Sequence, residues 1–122
     1  MRYLFVLIGG GTGALARYVA ATAIMTRFGC GFPLGTLVIN VTGSFLIGFL
    51  MTLLTERFQL DPNYRLLLGV GFLGGYTTFS SFEWETYTAV RAGAFWTGML
   101  NVVASVMLGY VAVSLGSMLA RR

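Results

Sequence analysis

The sequence predicts an all-α membrane protein of four transmembrane helices, with the third helix broken near its middle. Three observations carry that reading. Of the 122 residues, 57% are hydrophobic and 10% charged, where soluble domains run nearer ~45–50% apolar and ~25% charged. Four apolar runs, at about 3–25, 34–54, 66–88 and 95–119, each approach or reach the ~20 residues that a bilayer crossing needs. The third run carries a glycine pair (Gly74-Gly75), the hydroxyls of Thr77, Thr78, Ser80 and Ser81, and two carboxylates, Glu83 and Glu85. Hydrocarbon does not tolerate such groups unless protein or a wet path satisfies them. Residues 1–122 are thus expected to form one multi-pass transmembrane domain, placed in the cell inner (plasma) membrane.

Charge and cysteine usage exclude several function classes. Every basic residue is an arginine, at positions 2, 17, 27, 57, 65, 91, 121 and 122. They lie singly or in pairs near the ends of apolar runs, so no clustered basic face exists for nucleic acid. A single cysteine, Cys30, and the lack of histidine rule out an intrachain disulfide, a His/Cys metal site and histidine-assisted nucleophilic catalysis. The chain is not expected to be an enzyme.

The first run, from Tyr3 to about Met25, resembles a signal peptide in its leading Arg2 and its Ala14-Leu15-Ala16. Three more spans follow, so it reads as a retained helix. Its Gly9-Gly10-Gly11-Thr12-Gly13-Ala14 satisfies a G-x-G-x-x-A pattern, but the acidic residue expected ~20 positions on is missing; the first acid is Glu56. Gly9 and Gly13 instead make a G-x-x-x-G pair for close helix packing. Arg17 is costly at depth unless it snorkels or lines a wet cavity, and both roles stand open.

Phe28 to Pro33 is a turn. In the second run Thr36, Asn40 and Gly43 or Ser44 recur at helical spacing and share a face, while Ser44 and Gly48 form a small-x-x-x-small contact. Hydroxyls in helices commonly bond back to their own carbonyls. A mid-span amide has two donors and an acceptor to satisfy, so Asn40 needs an interhelical partner or a ligand. After the polar loop 57–65 comes the third run, with its break expected at Gly74-Gly75. Arg91-Ala92-Gly93 is a tight connection, and Asn101, Ser105 and Gly109 mark every fourth residue of the fourth run. Four spans put both termini on one side with Arg2, Arg57, Arg65, Arg121 and Arg122, which favours cytoplasmic termini.

Three runs therefore present polar tracks: Thr36 with Asn40, the Thr-Ser-Phe stretch, and Asn101 with Ser105. Neutral hydrogen-bond donors suit a small anion as carbonyl cages suit a cation. Phe79 and Phe82 add ring edges, the positive part of an aromatic quadrupole, although two such residues in isolation usually pack. A glycine break frees carbonyls on one half and amides on the other. Four short helices enclose too little for a pore, so a two-fold pairing is expected.

These residues carry a resemblance. Gly35-Thr36-Leu37-x-x-Asn40, Gly74-Gly75-x-Thr77-Thr78-Phe79-Ser80-Ser81-Phe82, Gly9-Gly10-x-x-Gly13-x-x-x-Arg17-Tyr18, and Asn101 with Ser105 together resemble the Fluc (CrcB) family of fluoride channels across the whole chain. The resemblance implies an antiparallel, dual-topology homodimer exporting fluoride passively through two pores, relieving fluoride toxicity. It implies that Phe79 and Phe82 contact fluoride by ring edges, that Asn40 hydrogen-bonds it, and that Ser105, Thr36 and Ser81 belong to a polar track. It places Glu85 near the pore and Arg17 in a vestibule, and it implies a structural sodium ion (Na+) held by backbone carbonyls of Gly74 and Thr77 from each subunit. Fluoride, a second copy of the chain and the lipid bilayer are the implied partners. Some members have a tyrosine and a second serine where this chain has Asn101 and Gly109. The rival readings are a small multidrug-resistance-like exporter, which needs a first-helix glutamate this chain lacks, a fluoride/proton antiporter working through Glu83 or Glu85, and a non-transporting scaffold.

Overall fold

The computed structural model describes residues 1–122, and the chain is helical with no strand. Helix α1 spans Arg2–Phe28. Helix α2 spans Leu34–Thr52 and runs on through a π-helical turn, Leu53–Arg57. Helix α3 is the stretch 62–76: it opens on Pro62–Tyr64, continues π-helical over Arg65–Leu73 and closes on Gly74–Tyr76. Helix α4 spans Phe79–Arg91 and α5 spans Phe95–Arg121.

Three of these, Arg2–Phe28, Leu34–Arg57 and Phe95–Arg121, are long and apolar enough to cross a membrane. At 27 residues each, α1 and α5 reach about 40 Å, beyond the ~30 Å of hydrocarbon. The third predicted helix is two pieces, α3 and α4. Its break does not fall at the expected Gly74-Gly75, which stays helical. The extended residues are Thr77 (φ −82°, ψ 155°) and Thr78 (φ −150°, ψ 116°). The glycine pair serves packing instead: a Cβ on Gly75 would run into the Gly10 carbonyl and come within 3.0 Å of the Ala14 nitrogen.

Small residues organise two parallel pairs. In the first, a Cβ on Gly9 would strike the Leu67 carbonyl and one on Gly13 the Phe72 carbonyl, so α1 and α3 touch backbone to backbone, as the G-x-x-x-G spacing predicts. In the second, Gly48 lies against the Val113 carbonyl and Gly116 against that of Phe45. Thr52 and Ser117 bond at 2.8 Å, and Arg121 pairs with Glu56 through two bonds of 3.0 and 3.1 Å. Gly48 with Val113, Thr52 with Ser117 and Glu56 with Arg121 climb together, so α2 and α5 run in the same direction. The break also changes partner: α3 packs on α1, α4 on α5.

Connections are short and locally determined. Asp61 accepts the Asn63 N–H at 2.8 Å and Pro62 follows it, a favoured helix start. At the other end of the molecule Gly93 adopts φ 88°, a region costly for residues with a Cβ, and its N–H closes on the Val90 carbonyl at 3.0 Å. Phe5 of α1 shares a hollow with Asp61 and Asn63, so that loop, the Glu56–Arg121 pair and both termini occupy one end. Only 16 of 122 residues are buried, which leaves most apolar helix faces to lipid or to another protein.

Candidate functional site

The centre of the molecule is built around the break. Thr77 closes α3 by giving both its N–H (3.0 Å) and its hydroxyl (2.9 Å) to the Leu73 carbonyl. Thr78 caps α4: its hydroxyl oxygen accepts the Ser81 N–H at 3.3 Å, and the hydroxyl donates to the Ser81 hydroxyl at 3.1 Å. Such a cap satisfies one of the orphan donors of a helix start. Asn40, reaching from α2, answers the backbone of Thr78 twice. Its Oδ1 accepts the Thr78 N–H at 2.8 Å and its Nδ2 donates to the Thr78 carbonyl at 2.9 Å. Of the two roles open to Asn40, the interhelical partner is therefore present, and one amide hydrogen is left over.

Gly43 makes room for this arrangement, since a Cβ there would collide with the Thr77 methyl. The bonding also releases two carbonyls. In a continuous helix the Thr78 N–H would serve the Gly74 carbonyl, but it goes to Asn40. The Thr77 carbonyl accepts no backbone bond.

Around the break lie cavities that divide the predicted residues between them. One, of about 380 Å³, gathers Asn40, Phe79, Phe82, Ser105, Gly74 and Thr77. The two rings sit 5.6 Å apart, centroid to centroid, with planes inclined by 48°. Phe82 is buried, whereas Phe79 is 74% exposed at the rim. A second cavity, of about 310 Å³, gathers Arg17, Thr36, Ser81 and Glu85. Thr78 lines both. Thr36 and Glu85 in turn line a third, of about 820 Å³, beside Gly31 to Pro33 at the end away from the termini. A chain of hollows thus runs from mid-span to that end.

Glu85 is held from one side. The Thr36 hydroxyl donates to its Oε1 at 2.7 Å, while its Oε2 is buried with no hydrogen-bond partner. Arg17 shares the cavity without pairing with it; the only ion pair in the chain is Arg121–Glu56. Glu83 is exposed and lines none of these three cavities.

The fourth-run stripe is not a single track. Asn101, 2% exposed, lines none of the cavities; it donates to the Thr86 hydroxyl at 2.9 Å, and Thr86 donates to the Phe82 carbonyl at 2.8 Å. Ser105 faces the first cavity and leans its hydroxyl toward the Asn101 Oδ1 at 3.4 Å. Asn101 is therefore a clamp between α5 and α4, buried away from the three cavities around the break. Spacing alone missed Thr78 and Thr86. The signal for Thr78 was a hydroxyl residue three before Ser81 at a helix start; Thr86 had none, because its partner lies on another helix.

Fold and site define a small all-helical membrane protein with a polar cavity chain around a discontinuous helix. The family described as CrcB-like protein, Camphor Resistance (CrcB), matches residues 4–117, and the chain belongs to that family. It is 65% identical over 122 residues to a protein of Solibacter usitatus (strain Ellin6076) named fluoride-specific ion channel FluC, with all of both chains covered. Proteins of the same name from Acidobacterium capsulatum (48% identity, 100% of this chain and 98% of the relative) and Pyrococcus abyssi (44%, 98% and 95%) are similar along their lengths.

Proposed function

We propose that this protein is a passive, fluoride-selective channel, working as an antiparallel homodimer with two pores in the cell inner membrane. The observation that carries the reading is the mid-span cavity in which Asn40, Ser105, Phe79 and Phe82 meet beside the break. Nothing cationic lines it, and its polar side chains are neutral, the donor set a small dehydrated anion requires. The names of the similar proteins support fluoride as that anion. In this reading the spare amide hydrogen of Asn40 donates to the ion, and so does the Ser105 hydroxyl once it turns from its long 3.4 Å contact with Asn101, with the phenylalanine edges at its sides. Thr36, Ser81, Glu85 and Arg17 line the way out through the second cavity.

A second copy fits the uncovered side. Phe79 is exposed at the cavity rim, and an exposed hydrogen bond of 3.0 Å joins Thr42 to Tyr76 on the neighbouring surface. Polar pairs at that depth belong against protein or water rather than lipid, and closed two-fold pairing is the commonest solution. Sodium fits the chemistry of the break: the freed carbonyls of Gly74 and Thr77 are hard oxygen donors, and no group of three or more His, Cys, Asp or Glu side chains competes. Held there, the ion would supply a fixed positive charge near the anion cavity.

Fluoride efflux from proteoliposomes, followed by electrode, tests the reading. Release that requires a potassium shunt and ignores an imposed proton gradient is expected. Chloride leaving as fast as fluoride would defeat the selectivity. One observation favours a proton-coupled exporter instead, the unbonded Oε2 of Glu85 beside the pathway; that mechanism predicts release driven by the proton gradient without any shunt.

A further inference from the structure

The mid-span cavity continues toward the other end of the molecule. Val70, 57% exposed, lines it and also lines a separate hollow of about 410 Å³. Arg2, at the start of α1, and Arg65, at the start of the π-helical run, face that hollow, and Met51, Pro62 and Leu66 form the rest of its wall. No carboxylate lines it. Neither guanidinium takes part in the chain's one ion pair, which joins Arg121 to Glu56. The hollow lies at the end that holds both termini, opposite the one reached through Glu85 and Thr36.

We propose that Arg2 and Arg65 form a charged mouth that gathers small inorganic anions and passes them over Val70 into the Asn40–Phe82 cavity. This rests on the channel reading and adds a binding region at the terminal end. The chemistry is that of attraction rather than of a cage. Two positive charges without carboxylate partners raise the local anion concentration, while Met51, Leu66 and Val70 offer no donor that would hold a dehydrated ion and slow its passage. A concave region with low-dielectric walls focuses such a field and speeds capture. A lipid phosphate would suit the same guanidinium pair, but the hollow shares Val70 with a cavity lined by neutral donors, which suits an ion in transit.

The test separates charge from packing. Fluoride efflux is measured at limiting fluoride from neutral-lipid vesicles, with a potassium shunt, in a salt of an impermeant anion. The Debye length falls from ~30 Å at ~10 mM to ~3 Å at ~1 M. Arg65→Gln is expected to slow efflux about threefold at low salt and to match the unsubstituted protein at high salt, with Arg2→Gln similar and Arg65→Lys near normal. A Cys30→Ser, Arg65→Cys protein labelled after reconstitution reads the same charge without refolding: a cationic thiol reagent should restore flux and an anionic one should lower it further. Unchanged efflux for Arg65→Gln at low salt overturns the proposal. So does a deficit equal at both salts, and so does one that appears only when anionic lipid is present. Absence of efflux from the unsubstituted protein would instead defeat the channel reading itself.

Discussion

Asn40 and Thr78 exchange two hydrogen bonds, 2.8 Å from the Thr78 N–H and 2.9 Å to its carbonyl, so a side chain of α2 pairs with the interrupted backbone as a neighbouring β-strand would. The third helix can stop at mid-depth because this amide answers the peptide groups the stop exposes. The same residue lines the cavity with Phe79, Phe82 and Ser105, and the break and the polar surface are therefore one construction.

Substitution at Asn40 should accordingly affect folding and transport together. Asn40→Leu leaves the Thr78 N–H and carbonyl without partners, each at about 1–3 kcal/mol, and should lower the melting temperature in detergent and abolish fluoride efflux. Asn40→Asp keeps the acceptor for the Thr78 N–H but sets a carboxylate oxygen against its carbonyl. It should melt nearer the unsubstituted protein than Asn40→Leu while still passing no fluoride, because a negative charge then faces the cavity. An Asn40→Leu protein with normal stability and normal flux would show that the pairing supports neither.

The glycines of α1 offer a paired prediction. A Cβ on Gly13 meets the Phe72 backbone, while one on Gly11 meets nothing within 4 Å. Gly13→Ala must push α1 and α3 apart and should destabilise by about 1–3 kcal/mol, the range for overpacking. Gly11→Ala should be neutral or stabilising by up to ~1 kcal/mol through helix propensity. Thermal melts of the two variants decide it, and equal effects would contradict the close approach.

What the sequence disclosed follows from which forces are local. Apolar run length and small-residue spacing are properties of one helix, so the helical architecture and the Gly9–Gly13 contact could be read directly. The position of the break could not. Glycine relaxes a helix, yet Gly75 is locked by the Gly10 and Ala14 backbone of α1, and the chain opens where Asn40 supplies the missing bonds. Asn101 misled for the same reason. Its spacing with Ser105 marks a face, but Thr86 on α4 turns that amide into a buried clamp. Which helix lies opposite is a tertiary fact that no single-helix periodicity contains.

Thr36 and Glu85 define a third prediction. Thr36→Val removes the 2.7 Å bond to Oε1 and, with Oε2 already unbonded, leaves the carboxylate with no protein donor. Glu85→Gln keeps an acceptor for Thr36 and removes the charge. Passive flux should survive Glu85→Gln better than Thr36→Val, and in neither variant should an imposed proton gradient drive fluoride. Gradient-driven uptake by the unsubstituted protein that vanishes in Glu85→Gln would make Glu85 a proton carrier.

The two phenylalanines separate a transport role from a packing role. Phe82 is 6% exposed and Phe79 74%, although they touch within one cavity. Phe82→Ile exchanges a buried ring for a smaller side chain and should cost about 1–3 kcal/mol in a melt, with flux lost as well. Phe79→Ile removes a ring that little in its own chain covers, so the fold should melt within ~0.5 kcal/mol of normal. Fluoride efflux should nonetheless fall at least about tenfold, a change of ~1.4 kcal/mol in the barrier, because the ring edge then no longer borders the ion. A scaffold makes the opposite forecast, namely unchanged ion flux in both variants with assembly intact. Efflux and melting on the same Phe79→Ile preparation therefore decide between the channel and the scaffold, since only a transporting cavity gives a well-folded protein that has lost its flux.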